Sequence, residues 1–106
     1  MNELALLTKA ARAAGDIATS YFQKNPKVWD KGGTAGPVTE ADLEVDRMLS
    51  SDLRAARPSY GWLSEETEDS ADRLSQEDVF IIDPIDGTRA FIEGSPHWAH
   101  SLAIAK

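Results

Sequence analysis

Cysteine is absent from the 106 residues. That excludes a disulfide framework, a zinc–thiolate centre and a thiol nucleophile, and makes a reducing cytoplasm the simplest compartment. Basic charge is scarce: eleven Lys and Arg stand against eighteen Asp and Glu, a formal net charge of -7. Such a balance argues against nucleic-acid polymers and anionic membranes as partners. Long apolar runs are missing too. The opening stretch MNELALLTKAARAAG is interrupted by Glu3, Lys9 and Arg12, which fits neither a signal peptide nor a membrane span. A soluble intracellular protein is therefore expected. No internal repeat or low-complexity tract is visible. What is present is a chain of 42% hydrophobic and 27% charged residues, close to the globular average and long enough for one core.

The acidic charge is concentrated. Residues 65–78 hold Glu65, Glu66, Glu68, Asp69, Asp72, Glu77 and Asp78 against Arg73 alone. Like charges at this density repel, so most of the run reads as a solvated, mobile loop. The rest of the chain is nearly balanced.

Leu4, Leu7, Ala11, Ala14, Ala18 and Tyr21 or Phe22 recur every three to four residues, the stripe of an amphipathic helix over residues 3–23. Two prolines and several glycines between Asn25 and Pro37 make a loop or loose hairpin around Val28 and Trp29, with a mobile tip from Lys31 to Gly36. Thr39-Glu-Ala-Asp42 is a capping box. It opens a second helix with Val45, Leu49, Leu53 and Ala56 on one face, ended by Pro58. Tyr60–Ser64 reads as a short strand. Val79–Ile82 is an apolar run of the kind buried on both faces, and it stops at Asp83. From Trp98 to Lys106 the pattern alternates, with Trp98, His100, Leu102 and Ile104 on one face. An apolar strand with no polar tail leaves ladder groups waiting for a partner, so the chain reads as the N-terminal portion of a longer protein.

Asp83-Pro-Ile-Asp86-Gly87-Thr88 carries the most chemical information. Two carboxylates three residues apart, leaving a strand into a turn sharpened by Pro84 and Gly87, can converge together with the Ile85 carbonyl. Hard divalent cations take such oxygen ligands, and Mg²⁺ adds waters and substrate phosphate. On composition alone a plain Pro-x-Asp-Gly turn is an equal reading.

Three segments decide between them. Val38-Thr-Glu-Ala-Asp42, Trp62-Leu-Ser-Glu-Glu-Thr67 and Asp83-Pro-Ile-Asp-Gly-Thr88, in this order and spacing, closely resemble the N-terminal motifs of the inositol monophosphatase family. The resemblance implies an α+β fold of layered α and β structure, here two helices packed on a largely antiparallel sheet. It also implies a Mg²⁺-dependent, lithium-sensitive phosphomonoesterase, generally a homodimer, acting on a small phosphorylated metabolite without a covalent phosphoenzyme. By resemblance, Glu65, Asp83 and the Ile85 carbonyl are ligands of the tighter metal, and Asp86 is shared with a second. Thr88 with Asp42 behind it resembles the pair that orients and helps deprotonate the attacking water. Asp86, Gly87 and Thr88 are the substrate-side residues, Gly87 and Thr88 through backbone amides. A nest of successive amides after a glycine is a plausible anion site even without the analogy.

Each assignment has a plainer rival. Asp42 serves equally as the capping acid of the second helix, and the two roles can coexist. Glu66 is read as lying behind Glu65 or in solvent, and Lys31 as a phosphate-steering or a solvated lysine. His97 and His100, three apart on a strand, point to opposite faces and do not form a ligand pair. Trp62 and Trp98 are core or interface aromatics, and Arg89, Phe91 and Glu93 bear on which alcohol leaves. The family supplies a further metal-binding aspartate from a Trp-Asp motif in its C-terminal half. Trp29-Asp30 precedes the second helix and is not that motif. The resemblance thus implies a site completed elsewhere, with poor turnover from these residues alone. Inositol monophosphate, a 3'(2'),5'-bisphosphate nucleotide and histidinol phosphate are all admissible substrates. A non-catalytic metal-binding or dimer-forming fragment is the reading of a different class.

Overall fold

In the computed structural model, which describes residues 1–32, 36–67 and 69–106, helix α1 (Glu3–Tyr21) begins where Asn2 caps it. The Asn2 Oδ1 accepts the Ala5 amide at 2.8 Å. The face α1 buries is Leu6, Ala10, Ala14 and Ala18, rotated from the stripe expected, and Leu4 is 76% exposed. Alanine has little side chain to keep neighbours apart, so the small-residue face is the one on which a second helix packs closely. Beyond Tyr21 the chain leaves the helix, with Gln23 and Asn25 at positive φ just before Pro26.

Strands β1 (Val28–Asp30) and β2 (Pro37–Thr39) form the expected hairpin, pairing Val28 with Thr39 and Asp30 with Pro37. Its expected mobile tip, Lys31 to Gly36, includes residues 33–35, which lie outside the described residues. Thr39 then starts helix α2 (Glu40–Ala56) with a complete capping box. Its Val45, Leu49 and Leu53 are buried as the periodicity requires. Ala56, at the last turn, is exposed.

Strand β3 (Gly61–Ser64) runs parallel to β4 (Val79–Asp86), and β4 runs antiparallel to β5 (Ala99–Ala105), in the order β3-β4-β5. Of the three strand pairings two are antiparallel, and α1 and α2 pack on one face of the sheet. Phe80 and Ile82 of β4 point into that core, whereas Ile81 is 42% exposed, so the run is covered on one face and not on both. Strand β4 also continues through Asp83 to Asp86. Asp83 pairs with Ser101 and Asp86 with Ala99, so three steps on β4 face two on β5, a one-residue bulge. Pro84, which has no ladder N–H to give, sits in it. The acidic segment is not wholly structureless: Ala71–Ser75 forms a 3₁₀ turn capped by Ser70, and Arg73 pairs with Asp69 at 2.8 Å. A short helix not foreseen from the periodicity, α3 (Thr88–Ile92), follows β4. It buries Phe91, whose ring meets Phe22 at 5.5 Å and Trp98 at 5.0 Å.

Candidate metal and phosphate site

The two fixed points of the site are the start of α2 and the end of β4. At the first, the Asp42 carboxylate is 1% exposed. Its Oδ2 accepts the Thr39 amide at 2.8 Å and the Thr39 hydroxyl at 2.7 Å, and the Asp42 amide in turn donates to Thr39 Oγ1 at 3.2 Å. That closes the capping box and leaves Oδ1 for another donor. Thr88 supplies it, reaching Asp42 Oδ1 at 2.9 Å and the Ile85 carbonyl at 3.0 Å. Capping and contact with Thr88 therefore coexist on one carboxylate, across 46 residues of sequence.

At the second point, Gly87 turns the chain from strand to helix with φ +95°. A Cβ there would lie 2.9 Å from the His97 carbonyl, so both conformation and space call for glycine. Thr88 then opens α3 with its amide free of any intrahelical acceptor. The bulge is held from β5: His100 Nδ1 lies 2.5 Å from the Pro84 carbonyl. His97 is exposed, precedes β5 and lies apart from that contact, so the two histidines do not share the strand on which they were expected.

Between these points lies a cavity of about 240 Å³ whose walls include Lys31, Asp42, Glu65, Asp83, Ile85 and Thr88, with Gly87 and Arg89 also at its edge. Glu66 belongs to it as well. Its side chain is only 3% exposed and its carboxylate meets Lys31 Nζ at 2.5 Å, so neither residue is the freely solvated group that composition allowed. Asp86 lines an adjacent depression with His97 and Trp98, and Gly87 borders both. The structure thus brings Glu65, Asp83, Ile85, Gly87, Thr88 and Asp42 to one cavity, whereas Asp86 lines the neighbouring depression and not this one.

The electrostatics follow from crowding. Burial, and then the charges of Asp86, Glu65, Glu66 and Asp42, raise Asp83 from 3.8 to about 6. Glu66 is raised chiefly by burial, which its bond to Lys31 opposes. Burial works against the charge of Lys31, but the ion pair with Glu66 and the fields of Glu65 and Asp42 outweigh it and raise its pKa. Carboxylates held together against their own repulsion are a donor set short of positive charge. No three His, Asp or Glu side chains among the described residues already converge on one ion. Glu65, Asp83 and the Ile85 carbonyl line the cavity and are hard oxygens of the kind a divalent cation takes. A second lone pair on that carbonyl remains beside its bond to Thr88. Few carboxylates completed by water is the manner in which Mg²⁺ is held.

Residues 2–106 match the sequence profile described as the inositol monophosphatase family. The chain belongs to that family. Inositol-1-monophosphatase of Caulobacter vibrioides is 32% identical over 101 residues, which cover 95% of this chain and 39% of that protein. Inositol monophosphatase 1 of Sus scrofa is 34% identical over 96 residues, covering 89% of this chain and 35% of that one. Among solved structures, the IMPase of Thermotoga maritima superposes with a TM-score of 0.88 at 31% identity, over 100% of this chain and 40% of that chain. The chain therefore spans about two-fifths of the length of relatives it matches.

Two residues that support the site from outside the cavity escaped the sequence reading. Asp46 stands four residues after Asp42 on α2 and bonds Ser64 and Thr67 beside Glu65. His100 was read as half of a rejected ligand pair, and no sequence signal gave its contact with Pro84, because that contact needs the bulge.

Proposed function

We propose that these residues form the metal- and phosphate-binding portion of a Mg²⁺-dependent phosphomonoesterase that releases orthophosphate from inositol monophosphate or a related small phosphate ester. The observation that carries the reading is the Thr88–Asp42 bond at the wall of a cavity otherwise lined by Glu65, Asp83 and Ile85. Family membership supports it. Glu65, Asp83 and the Ile85 carbonyl hold Mg²⁺, with Asp86 toward a second ion. Bound there, the metal supplies positive charge for the phosphate and acidifies water. The Thr88 hydroxyl has Asp42 Oδ1 and the Ile85 carbonyl as alternative acceptors for its one proton, and either way it keeps lone pairs with which to accept from water and orient it for attack. Asp42 cannot swing away, because Thr39 holds its other oxygen. Lys31, tied to Glu66, lends the approaching dianion a cation.

Arg89 favours a second reading of the substrate. Its guanidinium borders the cavity and lies 3.3 Å from where a Cβ on Gly36 would stand. A cation there suits a substrate with a second anionic group, as in a 3'(2'),5'-bisphosphate nucleotide. The test is phosphate release by the protein that carries these residues, with inositol monophosphate, a nucleotide 3',5'-bisphosphate and histidinol phosphate as substrates. Turnover should require Mg²⁺, stop with EDTA, and fall on the order of 10²-fold in kcat for Thr88→Ala. Turnover indifferent to EDTA and to that substitution contradicts the mechanism, and no turnover on any ester favours a non-catalytic metal-binding or dimer-forming role.

A further inference from the structure

Asp46 is the second buried carboxylate on α2, one helical turn after Asp42, and is 8% exposed. Removing a carboxylate from water is costly unless its oxygens are satisfied. Among the described residues no Lys, Arg or His nitrogen lies within 4.0 Å of it. It is satisfied by two hydroxyls: Ser64 Oγ donates to Oδ1 at 2.5 Å and Thr67 Oγ1 donates to Oδ2 at 2.6 Å.

Those hydroxyls stand at the two corners of one turn. Ser64 and Thr67 flank Glu65 and Glu66, and the Thr67 amide reaches back to the Ser64 carbonyl at 3.4 Å. Each hydroxyl spends its single proton on Asp46 and is left as an acceptor. Ser64 Oγ takes the Glu66 amide at 3.3 Å, and Thr67 Oγ1 takes the Trp62 indole N–H at 3.4 Å. The direction of every bond in the set follows from an acceptor-only group at its centre. The Glu65 amide, bonded to the Ile82 carbonyl at 3.0 Å, ties the turn to β4.

We propose that Asp46 is a positioning residue: it fixes the turn that aims Glu65 and Glu66 into the cavity, and through them sets the affinity of the cavity for a divalent cation. The inference rests on reading that cavity as a Mg²⁺ site. Asp46 touches neither metal nor substrate and acts on the turn alone. An asparagine in its place offers one acceptor and two donors, so one hydroxyl proton loses its acceptor and meets a donor instead.

The experiment compares the wild-type protein with Asp46→Asn. Backbone amide and indole resonances are recorded in EDTA, followed by calorimetric titration with Mg²⁺. The resonances of the Glu65 and Glu66 amides and the Trp62 indole should shift, and Mg²⁺ affinity should fall about ten- to a hundredfold, the usual loss when a partner behind a metal ligand is removed. Where Asp46→Asn fails to fold, Thr67→Val carries the test, since it keeps the carboxylate and removes one hydroxyl; its affinity should fall several-fold. Unmoved resonances with wild-type affinity overturn the proposal. Wild-type protein that takes no Mg²⁺ overturns the metal reading and with it the affinity half of the proposal, while the resonances still decide whether Asp46 holds the turn.

Discussion

At the scale of single residues, the site depends on groups that do two things at once. Asp42 caps α2 with one oxygen and receives Thr88 with the other. Its capping role was legible because Thr39-x-x-Asp42 is a local pattern. Its contact with Thr88 was legible only through resemblance, because the two are 46 positions apart. Gly87 was legible as a turn residue, but the close approach of the His97 carbonyl was not. Gly87→Ala should destabilise the protein by about 1–2 kcal/mol for the left-handed conformation alone, with the 2.9 Å contact adding to it. Urea unfolding measures this, and an unchanged midpoint would mean that the turn rearranges freely. Glu66 and Lys31 show the limit of composition: each reads as a surface charge until folding pairs them across 35 positions of sequence.

At the scale of elements, periodicity found both long helices and the last strand, since each repeats its pattern over several turns or residues. On α1 it placed Ala14 and Ala18 correctly and put Leu7, Tyr21 and Phe22 against the core, but took Leu4 in place of Leu6 and Ala10, which are the residues buried in the first turns. It ended β4 at Asp83, because proline and aspartate are poor strand residues; a bulge accommodates both and leaves Asp83 facing the cavity and Asp86 the neighbouring depression. The α2–sheet contact is the spine of this arrangement. Leu49, fully buried on α2, should cost about 2–5 kcal/mol when replaced by alanine, measured by urea unfolding. The loss should lower Mg²⁺ affinity little as long as the variant is folded, because Leu49 stands seven residues, about two turns, beyond Asp42 and is not among the residues lining the cavity. A destabilised variant that also loses its metal affinity would show that the site and the core are not separable.

At the scale of the whole molecule, the governing quantity is negative charge, -7 in total, part of it gathered in one cavity without an equal countercharge. No helix among the described residues is long and apolar enough to cross a membrane. Metal-free protein should show the repulsion as a pH dependence. Asp83 holds its proton more tightly folded than unfolded, with a pKa of about 6 against 3.8. The folded state therefore binds the extra proton in that window. The contribution of Asp83 to stability is present in full below the unfolded value and is lost as pH rises through about 6. Thermal melts in EDTA should accordingly find Asp83→Asn gaining on the wild type across that range. A constant gap between the two proteins would mean that Asp83 feels no such crowding.

The central claim is that this crowded carboxylate set exists to hold a divalent cation, and calorimetric titration of Mg²⁺ into wild-type protein and Asp83→Asn at neutral pH tests it most directly. Ligand that binds only the folded state stabilises it by mass action, so the same samples should melt higher with Mg²⁺ in the wild type and not in the variant. The account predicts saturable Mg²⁺ binding by the wild type and its loss or severe weakening in Asp83→Asn. Equal affinity for the two proteins would contradict it.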